Sequence, residues 1–173
     1  MDENNRLSDL NWYALYVKAR HEFKVLDRFR KTGIEAFLPS VERLRKWKDR
    51  KKLISYPLFP CYIFVRIRRT PTDIRAVLKT EGVVRFVGFE PRNPEVIPEE
   101  QIYSLKKLIE SNRQIDPYPY LKEGLRVRVK RGPLIGAEGI LVRKGDGHIL
   151  VVSIDILGRS VSVDTDSCDV ETA

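Results

Sequence analysis

The chain has no long apolar run: nothing in its 173 residues approaches the roughly 20 apolar positions that span a bilayer. Cysteine is scarce. Cys61 and Cys168 lie too far apart for a metal-ligand spacing or a disulfide framework, so reduced thiols and a cytoplasmic location are expected, with no membrane partner. Histidine is as rare, at His21 and His148, and no Ser/His/Asp, Cys/His, paired-carboxylate or metal spacing emerges. An enzyme, a cofactor and a metal site are therefore not expected. The glycines of RGPLIGAEG (131–139) lack the Lys-Ser/Thr ending of a phosphate loop and fall between strand patterns, where turns explain them more simply. The opening MDENNRLSDL is polar and acidic, unlike a signal peptide.

What is present is charge, unevenly placed. The net charge is +8, with 42% hydrophobic and 32% charged residues, a globular profile. Residues 1–110 carry 23 Lys and Arg against 15 Asp and Glu, and residues 111–173 carry nine against nine. A basic first part and a neutral second part imply different partners.

Periodicity gives the organisation. NWYALYV (11–17) reads as a strand, and 19–32 as a helix with Phe23, Leu26 and Phe29 or Arg30 at spacings of three and four, stopped by Gly33. IEAFL (34–38), 58–67 and 83–87 read as strands. A helix over 72–79 follows Pro71, and another opens at Pro98 with Ile102, Leu105 and Ile109 as its stripe. The order β-α-β-β-α-β-α predicts a ferredoxin-like sheet over 11–110. SNRQIDPYPY (111–120) reads as a linker. Short alternating runs punctuated by Gly132, Gly136, Gly139, Gly145, Gly147 and Gly158 predict a small SH3-like β-barrel over 121–171. The class is α+β.

Two features point to binding. On the 58–67 strand Cys61, Ile63, Val65 and Ile67 share one face, and Tyr62, Phe64 and Arg66 the other. On 11–17 Tyr13, Leu15 and Val17 oppose Trp12, Ala14 and Tyr16. Tyr16, Tyr62 and Phe64 are thus either an exposed aromatic patch on the uncovered side of the sheet or core under the third helix or the basic stretch. That stretch, RLRKWKDRKK, puts Arg43, Arg45, Lys46, Trp47, Lys48, Arg50, Lys51 and Lys52 into ten positions. It is either a solvated hairpin tip or a nucleic-acid backbone contact with an indole able to stack. On the first helix Arg20, Lys24, Arg28 and Lys31 form a second basic stripe.

WYALYVKARHE, GIEAFLPSVERLRKWKDRKK and YPLFPCYIFVRI together resemble the NusG family of transcription elongation factors. GLRVRVKRGPLIGAEGILV and VVSIDILGRSVSV resemble its KOW module, and Cys61 stands where the family more often has Gly or a polar residue. The resemblance implies a monomer whose N-terminal domain binds the clamp helices of RNA polymerase through Tyr16, Tyr62, Phe64 and Phe89. It implies a gate-loop contact near Asp73, Ile74 and Arg75, non-template DNA at Lys18, His21, Lys24 and Arg28, and upstream duplex at Arg43–Lys52. A closed channel and suppressed pausing follow from such binding.

Length and phrases such as RHEFKVLDRFRKTGIEAFLP look more similar to UpxY and RfaH-like antiterminators than to housekeeping members. Leu157 stands where housekeeping members generally have a Phe that meets Rho or a small-subunit ribosomal protein, so Ile156, Leu157 and Arg159 are the expected barrel contact. Refolding of the barrel is not expected, since its alternation is strong and its glycines oppose a helical hairpin. The remaining rival, a ribosome- or RNA-binding KOW protein, predicts a basic barrel, and 111–173 is neutral.

Overall fold

A computed structural model describes residues 10–47, 49–88, 93–166 and 169–173, without the side chain of Trp47. Two compact units emerge, one of residues 1–38, 60–102 and 155–157, the other of 39–59, 103–154 and 158–173.

The first unit holds β1 (Leu10–Val17), α1 (Glu22–Thr32), β2 (Glu35–Phe37), β5 (Tyr62–Arg68), α2 (Pro71–Leu78) and β6 (Val83–Phe86). Its sheet runs in the order β2-β5-β1-β6, every pair antiparallel. That is the ferredoxin-like arrangement expected from the sequence, and the fold is α+β. One face carries the core: Tyr13, Leu15 and Val17 of β1 and Ile63, Val65 and Ile67 of β5 meet Val25, Leu26 and Phe29 of α1 and Val77 of α2. Each such burial contributes about 1.5–3 kcal/mol.

The helices end as their sequences dictate. Gly33 closes α1 in the left-handed region at φ 74, where a Cβ is disfavoured. The Thr70 hydroxyl accepts the amide of Asp73 and Pro71 occupies the first turn of α2. The phase of α1 differs from expectation. Phe23 is 43% exposed, and Val25 takes the inward place, because the buried set falls at Glu22, Val25, Leu26 and Phe29. Cys61, expected on the inner face of β5, lies instead in the preceding turn with φ 70 and is half-buried.

The second unit contains a separate two-stranded ribbon, β3 (Ser40–Trp47) with β4 (Arg50–Pro57), and a six-stranded antiparallel sheet. That sheet runs β12 (Val170–Thr172), β8 (Leu125–Val129), β9 (Glu138–Lys144), β10 (Gly147–Ile154), β11 (Arg159–Thr165), β7 (Ile115–Tyr118). Ile140, Ile149 and Val151 form its core cluster with Tyr118, Leu121 and Val142 against them. Gly139 is required here, since a Cβ would collide with the carbonyl of Val151. Two sequence boundaries shift. The 111–120 segment, expected to be a linker, contains β7, and the ribbon groups with the second sheet. The third helix, α3 (Glu99–Glu110), contributes residues to both units.

Candidate functional site: an open sheet end and a basic ribbon

Strand alternation puts Trp12, Ala14 and Tyr16 of β1, Phe37 of β2, Phe64 and Arg66 of β5 and Arg85 of β6 on the sheet's second face. This face is neither wholly core nor wholly exposed. At one end Trp12 is 1% exposed and its indole N–H donates to Glu99 at 3.3 Å. Arg66 lies 6.0 Å from the Trp12 ring and 3.7 Å from the same carboxylate. In the middle Phe64 is fully buried, stacked on Phe37 with ring centres 6.2 Å apart. Phe64 is therefore no surface contact, because Phe37 covers it and Phe37 in turn meets Trp12 edge-on.

At the other end the face opens. Tyr16 and Tyr62 are cross-strand neighbours, T-shaped at 5.6 Å and both half-buried. The exposed Arg85, opposite Tyr16 on β6, sits 5.5 Å from its ring centre. The result is a row of two phenols and one guanidinium across three strands. Such groups join rigid apolar area to a polar edge, the composition of binding hot spots. Sequence reading missed Arg85, although its place four residues before Phe89 in VVRFVGF was visible. Phe89 lies outside the described residues.

The turn beside this row is held by Glu22. Its carboxylate is buried and accepts the Cys61 amide at 2.9 Å, while the Cys61 carbonyl accepts the Val17 amide at 2.9 Å. The left-handed turn therefore sets the angle at which Tyr62 enters the sheet.

The groups predicted for gate-loop contact separate. Ile74 and Arg75 line a groove with Pro71, Leu78, Arg69 and Lys79. Asp73 is half-buried at the start of α2, where its backbone amide donates to the Thr70 hydroxyl.

Two of the four cations of α1 are paired within the fold. Arg28 donates to both the Glu81 carboxylate and the Glu81 carbonyl, each at 2.7 Å. Lys31 pairs with Asp27 at 2.7 Å, a bond that holds the Asp27 carboxyl below its usual range. Arg28, expected on non-template DNA, is thus tied to the loop before β6. Lys18, Arg20 and Lys24 remain exposed, and His21 is half-buried with Nδ1 3.0 Å from the Ala19 carbonyl.

The ribbon is different. Its register sets Arg45 opposite Lys52 and Lys46 opposite Lys51, all four exposed. Like charges directly opposite one another destabilise a strand pair. Leu44 and Leu53, facing each other and 63% and 51% exposed, add the apolar cross-strand contact that offsets this. Arg43 turns toward β7, 3.5 Å from the Ile115 carbonyl. Lys48 lies outside the described residues.

Ile156 and Leu157 sit half-buried on a 3₁₀ turn (Asp155–Leu157), followed by Gly158 at φ 57 and the exposed Arg159. Among the described residues no helix is long and apolar enough to cross a membrane.

Residues 10–106, more than half the chain, match the family profile described as "Transcription termination factor nusG". The "Transcription termination/antitermination protein NusG" of Borreliella burgdorferi is 28% identical, over 92% of this chain and 97% of that protein. The protein of the same name from Staphylococcus carnosus is 26% identical, over 92% and 94%. A solved structure, "Domain interaction in Thermotoga maritima NusG", superposes with a TM-score of 0.50 at 22% identity. It covers 95% of this chain and 98% of that one, a likeness of fold.

Proposed function

The chain belongs to the NusG family, and from that premise we propose that it is an elongation factor that binds RNA polymerase through the open end of its first sheet. The observation that carries this reading is the Tyr16–Tyr62–Arg85 row, which keeps aromatic area at the surface while Trp12, Ala14 and Phe64 of the same face are buried. The clamp helices are the proposed partner of that row. Ile74 and Arg75 on α2 are the proposed gate-loop contact. Bridging the two lobes holds the DNA channel closed and shortens pauses.

Lys18, His21 and Lys24 are the proposed non-template contacts, and the ribbon faces upstream duplex, through charge that is independent of sequence and sensitive to salt. The protein acts in the cytoplasm as a monomer. Within the family the reading is a specialised antiterminator similar to UpxY and RfaH-like proteins. Leu157 in place of the housekeeping Phe supports it, being a smaller apolar contact for Rho or a small-subunit ribosomal protein. The housekeeping alternative draws on the NusG relatives matched over nearly the whole chain.

The test is transcription in vitro over a pause site with purified core polymerase. Added protein is expected to shorten the pause, and the Tyr16→Ala/Tyr62→Ala protein is expected to leave it unchanged. A folded double variant that shortens the pause as well as the native protein refutes the assignment. Occupancy mapped along the genome separates the two subfamily readings: a few operons for the specialised one, most transcribed genes for the housekeeping one.

A further inference from the structure

The ribbon's register specifies more than a basic surface. Because side chains alternate, Arg45 and Lys52 project from one face of the ribbon and Lys46 and Lys51 from the other. Each face therefore presents a pair of like charges, and the same length of ribbon is cationic on both sides. A flat anionic surface, whether a lipid headgroup layer or an acidic protein face, neutralises one pair and leaves the other repelling. A groove with phosphates on both walls neutralises both.

The dimensions agree. The ribbon's last pair is Trp47–Arg50, so at roughly 3.3 Å per residue the Arg45–Lys52 pair stands about 7 Å back from it and the Lys46–Lys51 pair about 3 Å. The major groove of B-form DNA is about 12 Å wide and 8.5 Å deep and admits a two-stranded ribbon, whereas the minor groove is about 6 Å wide. Both pairs fall within about 8.5 Å of that last pair, so they lie beside the phosphate walls when the end of the ribbon enters the groove. Duplex RNA offers no such entry, since its major groove is too narrow for side chains.

We infer that the β3–β4 ribbon enters the major groove of duplex DNA tip first, with Arg45 and Lys52 on one phosphate wall and Lys46 and Lys51 on the other. This rests on the reading of the ribbon as the DNA-facing element and adds its groove and its two-sided mode. The Leu44–Leu53 pair stands behind the cations and keeps the strands together outside the groove.

The experiment is fluorescence anisotropy of a labelled DNA duplex with the full chain, titrated at several NaCl concentrations. Each phosphate contact contributes about 0.9 to the slope of log K against log salt. Arg45→Ala/Lys52→Ala and Lys46→Ala/Lys51→Ala are each expected to lower that slope by about 1.8, and the quadruple variant by about 3.6. Each pair variant removes a repulsion, so its melting temperature is expected to hold or rise. Methylating guanine N7 in the major groove is expected to weaken binding, while distamycin in the minor groove and excess duplex RNA leave it unchanged.

If only one pair moves the slope, or distamycin displaces the protein, the two-walled mode falls and DNA contact stands. If the exposed Arg143→Ala/Lys144→Ala control in β9 lowers the slope equally, the binding is diffuse charge attraction and the inference falls. A native protein without salt-dependent duplex binding overturns both the inference and the DNA-facing reading of the ribbon.

Discussion

Helix α1 and the β3–β4 ribbon are both rich in cations, and the fold treats them in opposite ways. On α1 Arg28 and Lys31 each meet a carboxylate at 2.7 Å, one contributed by the distant Glu81 and one by Asp27 a turn away. On the ribbon the register sets cation against cation in two successive pairs. Formal charge in a sequence counts both alike, yet on α1 two of the four cations are paired inside the fold, while the ribbon's pairs face each other. The second face of the first sheet divides in the same way: Phe64 is sealed under Phe37, and Tyr16 and Tyr62 keep part of their rings in water. Groups buried inside the fold stabilise it, and those that keep exposed surface are the ones proposed to bind.

The sharpest way to break that division is truncation along the aromatic face. Phe64→Ala is expected to cost about 3–5 kcal/mol of stability in thermal or urea unfolding, as a buried ring does. Tyr62→Ala is expected to cost far less stability and to weaken polymerase binding by about 2 kcal/mol, read by interferometry with immobilised polymerase. If Phe64→Ala proves stable and Tyr62→Ala unfolds the domain, the division of that face is wrong.

A smaller effect compares the cations. The quadruple ribbon variant is expected to lose about 3.6 from the DNA salt slope, and Arg28→Ala/Lys31→Ala to lose less than about 1. Equal losses would mean that the ion pairs of α1 open freely to DNA.

Next comes the turn that aims Tyr62. Cys61 holds φ 70, a region that costs a residue with a Cβ about 1 kcal/mol relative to Gly. Cys61→Gly is expected to raise stability by about that amount with polymerase affinity unchanged. A fall in stability would mean that the thiol contributes more than the backbone costs. The smallest effect is Arg28→Ala alone, expected to lower stability by about 1 kcal/mol or less, since Glu81 is largely exposed and the pair is screened.

Much of this architecture could be read from residue patterns, and what could not has identifiable causes. The first sheet and its helices follow strong periodicity, and Gly33 and Pro71 mark their ends. Strand β7 was hidden by Pro117, which a central strand would not tolerate. β7 lies at the sheet's edge, where a missing N–H breaks no ladder. The basic stretch was legible as a hairpin tip, but not the length of its strands, because a run of charge, rich in the weak strand former Lys, masked the alternation. The inward turn of Val25 and outward turn of Phe23 depend on a one-residue phase that aromatic content misreads. Neither the Arg28–Glu81 pair, 53 positions apart, nor the burial of Phe64 by Phe37 is local, so no window of sequence contains them. Arg85 joins the site only through its register with Tyr16.

The most direct test of the account is the affinity of core RNA polymerase for the native protein and for Tyr16→Ala/Tyr62→Ala, with melting temperatures measured in parallel. The account predicts about a 30-fold or greater loss of affinity in a variant that remains folded. Native affinity in a folded double variant would contradict it.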